Sequence, residues 1–132
     1  MQLLRLSHDA PTQFRWPVQD KAAIVLTPAL NGWEVPAWTF FGDMEHSRCP
    51  PQVHVAVGHW LHDGYGAELV GLADRTLEFL PGRRPQSERE ALCLAADLRG
   101  YAHAICTADI NAGVAEIASS LMNSSVWTFG WE

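Results

Sequence analysis

Charge is the first thing this sequence is short of. Only 18% of its 132 residues are charged, against roughly 25% in an average soluble domain. Basic residues are scarcer still: nine Lys and Arg stand against fifteen Asp and Glu, a formal net charge of -6. A nucleic-acid binder needs a basic stripe to neutralise phosphates. Here the only basic cluster is Arg83-Arg84, followed by Pro85 in a loop, so no nucleic acid is expected. No stretch approaches the ~18 uninterrupted apolar residues of a membrane span. The start, Met1-Gln2-Leu3-Leu4-Arg5, meets a charge too early for a signal peptide. The expectation is a soluble, cytoplasmic protein with no membrane partner.

Cysteine is also sparse. Cys49, Cys93 and Cys106 are an odd number without a paired motif, which argues against a disulfide framework. No Gly-rich phosphate loop is present, and no cofactor is expected. Gly64-Tyr65-Gly66 joins a helix to a strand and does not lead into a helix N-terminus, so it reads as a tight turn needing positive φ.

What is present is apolar and aromatic: 48% hydrophobic residues, with six Trp, five Phe and two Tyr. That excludes intrinsic disorder and suits one compact domain over residues 1–132. Residues 1–21 are the least patterned. Residues 22–27 (Ala-Ala-Ile-Val-Leu-Thr), stopped by Pro28, read as a strand, and residues 33–41 as a second, an edge strand because of Pro36. Pro50-Pro51 opens a helix with Val53, Ala56, Val57, Trp60 and Leu61 as its buried stripe. A hairpin follows, residues 67–72 and 76–80 around a turn at 73–75. Ser87 and Glu90 form a capping box for a helix burying Ala91, Leu94, Ala95 and Leu98. A further helix spans about residues 111–122, burying Val114, Ile117, Ala118 and Leu121. Residues 125–131 form the last strand, with Trp127, Phe129 and Trp131 on one face. The order β-β-α-β-β-α-α-β predicts an α+β fold, a mostly antiparallel sheet with three helices packed on one face.

The run Tyr65-Gly66-Ala67-Glu68-Leu69-Val70-Gly71-Leu72 is distinctive together with several later matches. These are Asp74, Thr76-Leu77-Glu78, Arg84-Pro85, Glu90-Ala91-Leu92, Ala95 and the end Trp127-Thr128-Phe129-Gly130-Trp131-Glu132. As a set it resembles the bacterial family called domain of unknown function 4253, as do Cys49-Pro50 and Trp60 in the same order. The likeness covers roughly residues 31–132. It departs from the family's Gly-Trp-Asn core at residues 42–48 and from its Tyr-x-Tyr-Cys stretch at residues 101–106. The resemblance implies a bacterial origin and a role such as toxin immunity or accessory binding.

Several constellations compete for function. His59 and His62, three apart on a helix, with His46 and Cys49 just before it, are candidate metal ligands. Glu68 and Glu78 are placed on one hairpin face for acid/base work, with Glu68 bound to Arg83 or Arg84 as the structural alternative. Each cysteine is a possible nucleophile, although Cys93 lies beside a helix's buried stripe. Trp127, Phe129 and Trp131 are core if helices cover their face, and a partner-binding patch if they do not. The expectation is a non-enzymatic, immunity-type or inhibitory protein that occludes a partner with a basic surface, using Trp38, Asp43, Glu45, Glu68, Trp127, Phe129 and Trp131. The alternatives are a metal-assisted hydrolase built on His46, Cys49, His59, His62 and a carboxylate, and a homodimer joined through sheet edges.

Overall fold

The computed structural model describes residues 23–41, 49–73 and 75–131. A 3-10 turn at Gly32–Glu34 runs into a short helix α1 (Val35–Trp38), then α2 (Pro51–Tyr65). Strands β1 (Glu68–Ala73) and β2 (Thr76–Leu80) form a hairpin. Helix α3 (Glu88–Arg99), the two-residue strand β3 (Ala104–Ile105), α4 (Val114–Asn123) and β4 (Trp127–Gly130) complete the order. The four strands form one antiparallel sheet in the order β1-β2-β4-β3. The class is α+β, with four helices where three were expected.

Alternation along the strands decides the core. Leu77 and Phe79 of β2 pair with Phe129 and Trp127 of β4, and Ile105 pairs with Phe129. All five side chains are buried, and the helices lie over them. Trp127 Nε1 donates to the Leu121 carbonyl of α4 at 3.1 Å. The Tyr65 ring meets the Trp127 ring edge-on at 5.3 Å. Ala91, Leu94, Ala95 and Leu98 of α3 and Ile117, Ala118 and Leu121 of α4 are buried as their spacing requires, while Val114, expected with them, is exposed at the first turn of α4. Ser87 caps α3 by accepting from the Glu90 amide at 3.1 Å. Glu90 answers by accepting from the Gln86 amide at 2.9 Å, one residue before the cap.

Three expectations are corrected. Residues 23–27 carry no secondary structure and pair with nothing among the described residues, and residues 33–38 are helical, with a turn at 39–41. The second error has a legible cause. Asn31 and Glu34 hold a helix N-terminus together: Asn31 Nδ2 donates to Glu34 Oε1 at 3.2 Å, and the Leu30 amide donates to Oε2 at 3.1 Å. Pro36 then occupies the first helical turn, where its missing N–H costs nothing. The third correction concerns α2. Its buried residues are His54, Gly58 and Leu61, with Val57 and Tyr65 partly buried, while Val53 and Trp60 are exposed. The stripe is turned by one residue from the most apolar one, because Gly58 admits Trp33 and Phe79 closely and His54 finds partners inside.

The hairpin loop has two residues, since Ala73 pairs with Thr76. A bulge between Leu69 and Gly71 shifts the register so that Glu68 faces Leu80. Gly66 ends α2 in the left-handed region at φ 60°, as the turn reading required.

Candidate binding surface and the buried histidine

The end of α1 sends two consecutive phenylalanines in opposite directions. Thr39 N donates to the Val35 carbonyl, and Phe41 N donates to the Pro36 carbonyl at 2.9 Å. The second is the 6→1 bond by which a Schellman motif closes a helix. It requires a left-handed residue between them, a place that glycine usually fills. Here that residue is Phe40, at φ 54°. A bulky side chain in this region is an outlier. Its ring is nonetheless 70% exposed, and Trp38, two residues earlier, is 54% exposed. Val53 and Trp60 add exposed apolar surface on α2, the helix against which α1 packs.

Phe41 turns inward, to a buried histidine. His54 is 1% exposed and is ringed by Phe41 at 4.9 Å, Trp131 at 4.8 Å and Tyr101 at 5.6 Å between ring centroids. Its Nδ1 shares a 2.6 Å hydrogen bond with the Tyr101 hydroxyl, and Cys49 Sγ lies 3.9 Å away. Among the described residues Nε2 has no hydrogen-bond partner. Burial pushes the imidazole down to about 4, against a smaller opposing effect of the Cys49 backbone, so His54 is neutral at pH 7. Burial also raises Tyr101 and Cys49 and pushes Cys106 up to about 12. Cys49 and Cys106 are therefore thiols, not the thiolates that nucleophilic chemistry uses. Cys93, expected beside the buried stripe of α3, is exposed.

His59 and His62 share a different neighbour. Trp33 stacks on His59 at 4.7 Å and lies tilted on His62 at 4.4 Å. Each imidazole also meets a carboxylate. His59 Nε2 is 3.5 Å from Asp63, and His62 Nδ1 is 3.0 Å from Glu68, close enough for an ion pair but without hydrogen-bond geometry. Among the described residues no group of three His, Cys, Asp or Glu side chains is placed to hold a metal ion. Cys49 accompanies His54, and His46 lies outside the described residues.

The other expected site residues separate. Asp43 and Glu45 lie outside the described residues. Trp127 and Phe129 are fully buried, so they are core and offer no surface; the helices cover the face that carries them. Trp131 is half-buried, its indole N–H donating to the Tyr101 carbonyl at 2.9 Å. Glu68 meets His62, while Arg83 takes Glu90 at 2.7 Å and lies over the Tyr65 ring. Glu78 points away from the helices yet is 4% exposed, with Oε1 unpartnered. The two hairpin carboxylates thus have unlike surroundings. Phe40, His54 and Tyr101 were missed as a set. A Phe-Phe pair just after the Pro36 turn was the available signal for Phe40; nothing local signals the His54–Tyr101 contact.

The chain is thus a small α+β protein with helices on one sheet face and an aromatic surface at its first helices. It belongs to the family described as Domain of unknown function (DUF4253), whose model matches residues 23–132. No curated protein and no solved structure matches it.

Proposed function

We propose that this chain is a non-enzymatic protein-binding module that docks a partner protein through the aromatic surface at α1. The carrying observation is Phe40. Its side chain is held in solvent on a left-handed backbone, where glycine would close the same helix without strain. Strain kept at an exposed aromatic side chain points to use of that side chain. Aromatic residues dominate the energetics of protein interfaces, and Trp38 stands beside Phe40. Asp43 and Glu45 follow directly in sequence, and with the net charge of -6 they favour a partner with a basic surface. The function is inhibitory, of the immunity type: the module covers a functional surface of a bacterial cytoplasmic partner.

Site-specific photo-crosslinking in host cells tests this. A photoreactive amino acid at position 38 or 40 is expected to capture one and the same protein, which an identical probe at Glu116 on α4 does not capture. The purified partner should then bind Phe40→Gly at least about tenfold more weakly, with stronger salt dependence than an apolar contact alone would give. Equal capture from all three positions would sink the proposal.

A further inference from the structure

Residues 23–27 and the edge of β1 are complementary, and among the described residues neither has a strand partner there. The segment Ala23-Ile24-Val25-Leu26-Thr27 is rich in strand-forming residues, and Pro28 holds Thr27 away from the helical region. Ile24 and Leu26 are more than nine-tenths exposed, and Val25 is 61% exposed. Residues 23–29 make no hydrogen bond to any described residue; the first is Leu30 N to Glu34. Such a segment belongs to the family domain, whose match begins at residue 23. A row of exposed large aliphatic side chains with strand-forming sequence is a candidate strand without a sheet.

The sheet has a matching vacancy. Among the described residues β1 is an outer strand with β2 as its one strand neighbour, and its residues make no further backbone hydrogen bond to a described residue. Its sequence, Glu-Leu-Val-Gly-Leu-Ala, holds no Lys or Pro and a single charge, so the bulge at Val70 is its main protection against pairing. Val70 is itself exposed. The lengths agree, five residues against six. The placement agrees as well: a Cβ on Gly32 would lie 3.7 Å from the Leu69 amide nitrogen, so the chain leaves the molecule at the start of the open edge. A donor and an acceptor that meet at one edge suit a two-fold axis, across which each copy gives what it receives.

We propose that two copies of this chain form a dimer by reciprocal strand addition, residues 23–27 of each copy pairing with the outer edge of β1 in the other. Backbone hydrogen bonds along β1 supply the register, and Ile24 and Leu26 lose their exposure together, since alternate residues share a face. The proposal is independent of the Phe40 surface and stands or falls without it.

Sedimentation velocity of the full chain from about 1 μM to about 1 mM should show a monomer–dimer equilibrium. Val25→Pro and Leu26→Pro occupy adjacent positions, so one of them removes an N–H aimed at β1. That variant should weaken dimerisation at least about tenfold, with far-UV circular dichroism and melting temperature of the monomer little changed, because residues 23–26 are exposed within their own copy. Amide exchange in residues 68–73 should slow as protein concentration rises. A chain that stays monomeric throughout, a dimer that both proline variants leave intact, or exchange independent of concentration would each overturn the proposal. A monomer that adds a foreign strand to β1 would replace the second copy as occupant and overturn it too.

Discussion

The Tyr101 hydroxyl lies 2.6 Å from Nδ1 of His54, across forty-seven residues of sequence. This contact ties the segment after α3 to α2, inside a cage completed by Phe41 and Trp131. A polar pair with its surroundings desolvated is costly to break on one side only. Tyr101→Phe should therefore lower stability by about 1–2 kcal/mol in urea denaturation. The double variant with His54→Phe should lose less than the sum of the two singles, because neither partner is then left behind.

The same histidine sets a pH dependence. Its folded-state value is about 4, below the ordinary 6.5. Above pH 6.5 both folded and unfolded chains hold it neutral, and its contribution is intact. As pH falls from 6.5 toward 4 the unfolded chain takes up a proton that the folded chain refuses. Stability should drop by about 3 kcal/mol over that window. Urea midpoints at pH 7, 5.5 and 4.5 should show the drop in the native protein and a smaller one in His54→Phe. Parallel curves would refute it.

Two glycines of α2 should respond oppositely to alanine. A Cβ at Gly58 would meet the Trp33 Cβ at 2.9 Å and Phe79 at 3.5 Å, whereas at Gly64 it would meet nothing within 4 Å. Gly58→Ala should cost about 1–3 kcal/mol by overpacking, despite alanine's better helix propensity. Gly64→Ala should gain up to about 1 kcal/mol. Thermal melts distinguish the pair.

Phe40→Gly should separate stability from binding. Relief of the left-handed strain raises stability by about 1 kcal/mol, while loss of the exposed ring weakens partner binding. A variant destabilised by the change would show that the ring packs within its own molecule.

Glu78 is raised above its ordinary value by burial, and its Oε1 has no partner. The folded state thus favours the protonated form, and the cost of the charge is present at neutral pH and fades as pH falls. Glu78→Gln should stabilise the protein by about 1 kcal/mol at pH 7 and by much less near pH 4. An equal gain at both would mean that charge is not the cause.

The halves of the chain were unequally legible. From Gly66 onward, capping at Ser87, spacing along α3 and α4 and alternation through Trp127 and Phe129 agree with one another. Each local preference points to the same core. Upstream they conflict. Residues 33–41 alternate enough to read as a strand, yet the hydrogen bonds of Glu34 to Leu30 and Asn31, with Pro36 in the first turn, favour a helix through Trp38. In α2 two of the apolar side chains, Val53 and Trp60, stay in solvent while a histidine is buried.

By itself the sequence determined the α+β class, the hairpin, the two capped or striped helices of the second half and the family. These rest on interactions within a few residues, where periodicity and capping act directly. Only the tertiary structure decided which face of α2 is buried, that Trp127 and Phe129 are core, and that Phe40 points outward while Phe41 turns in. Each of those depends on partners far along the chain: Gly58 against Trp33, Trp127 against Tyr65, His54 against Tyr101. Hydrophobicity ranks what would benefit from burial, but shape and a distant hydrogen-bond partner select what is buried.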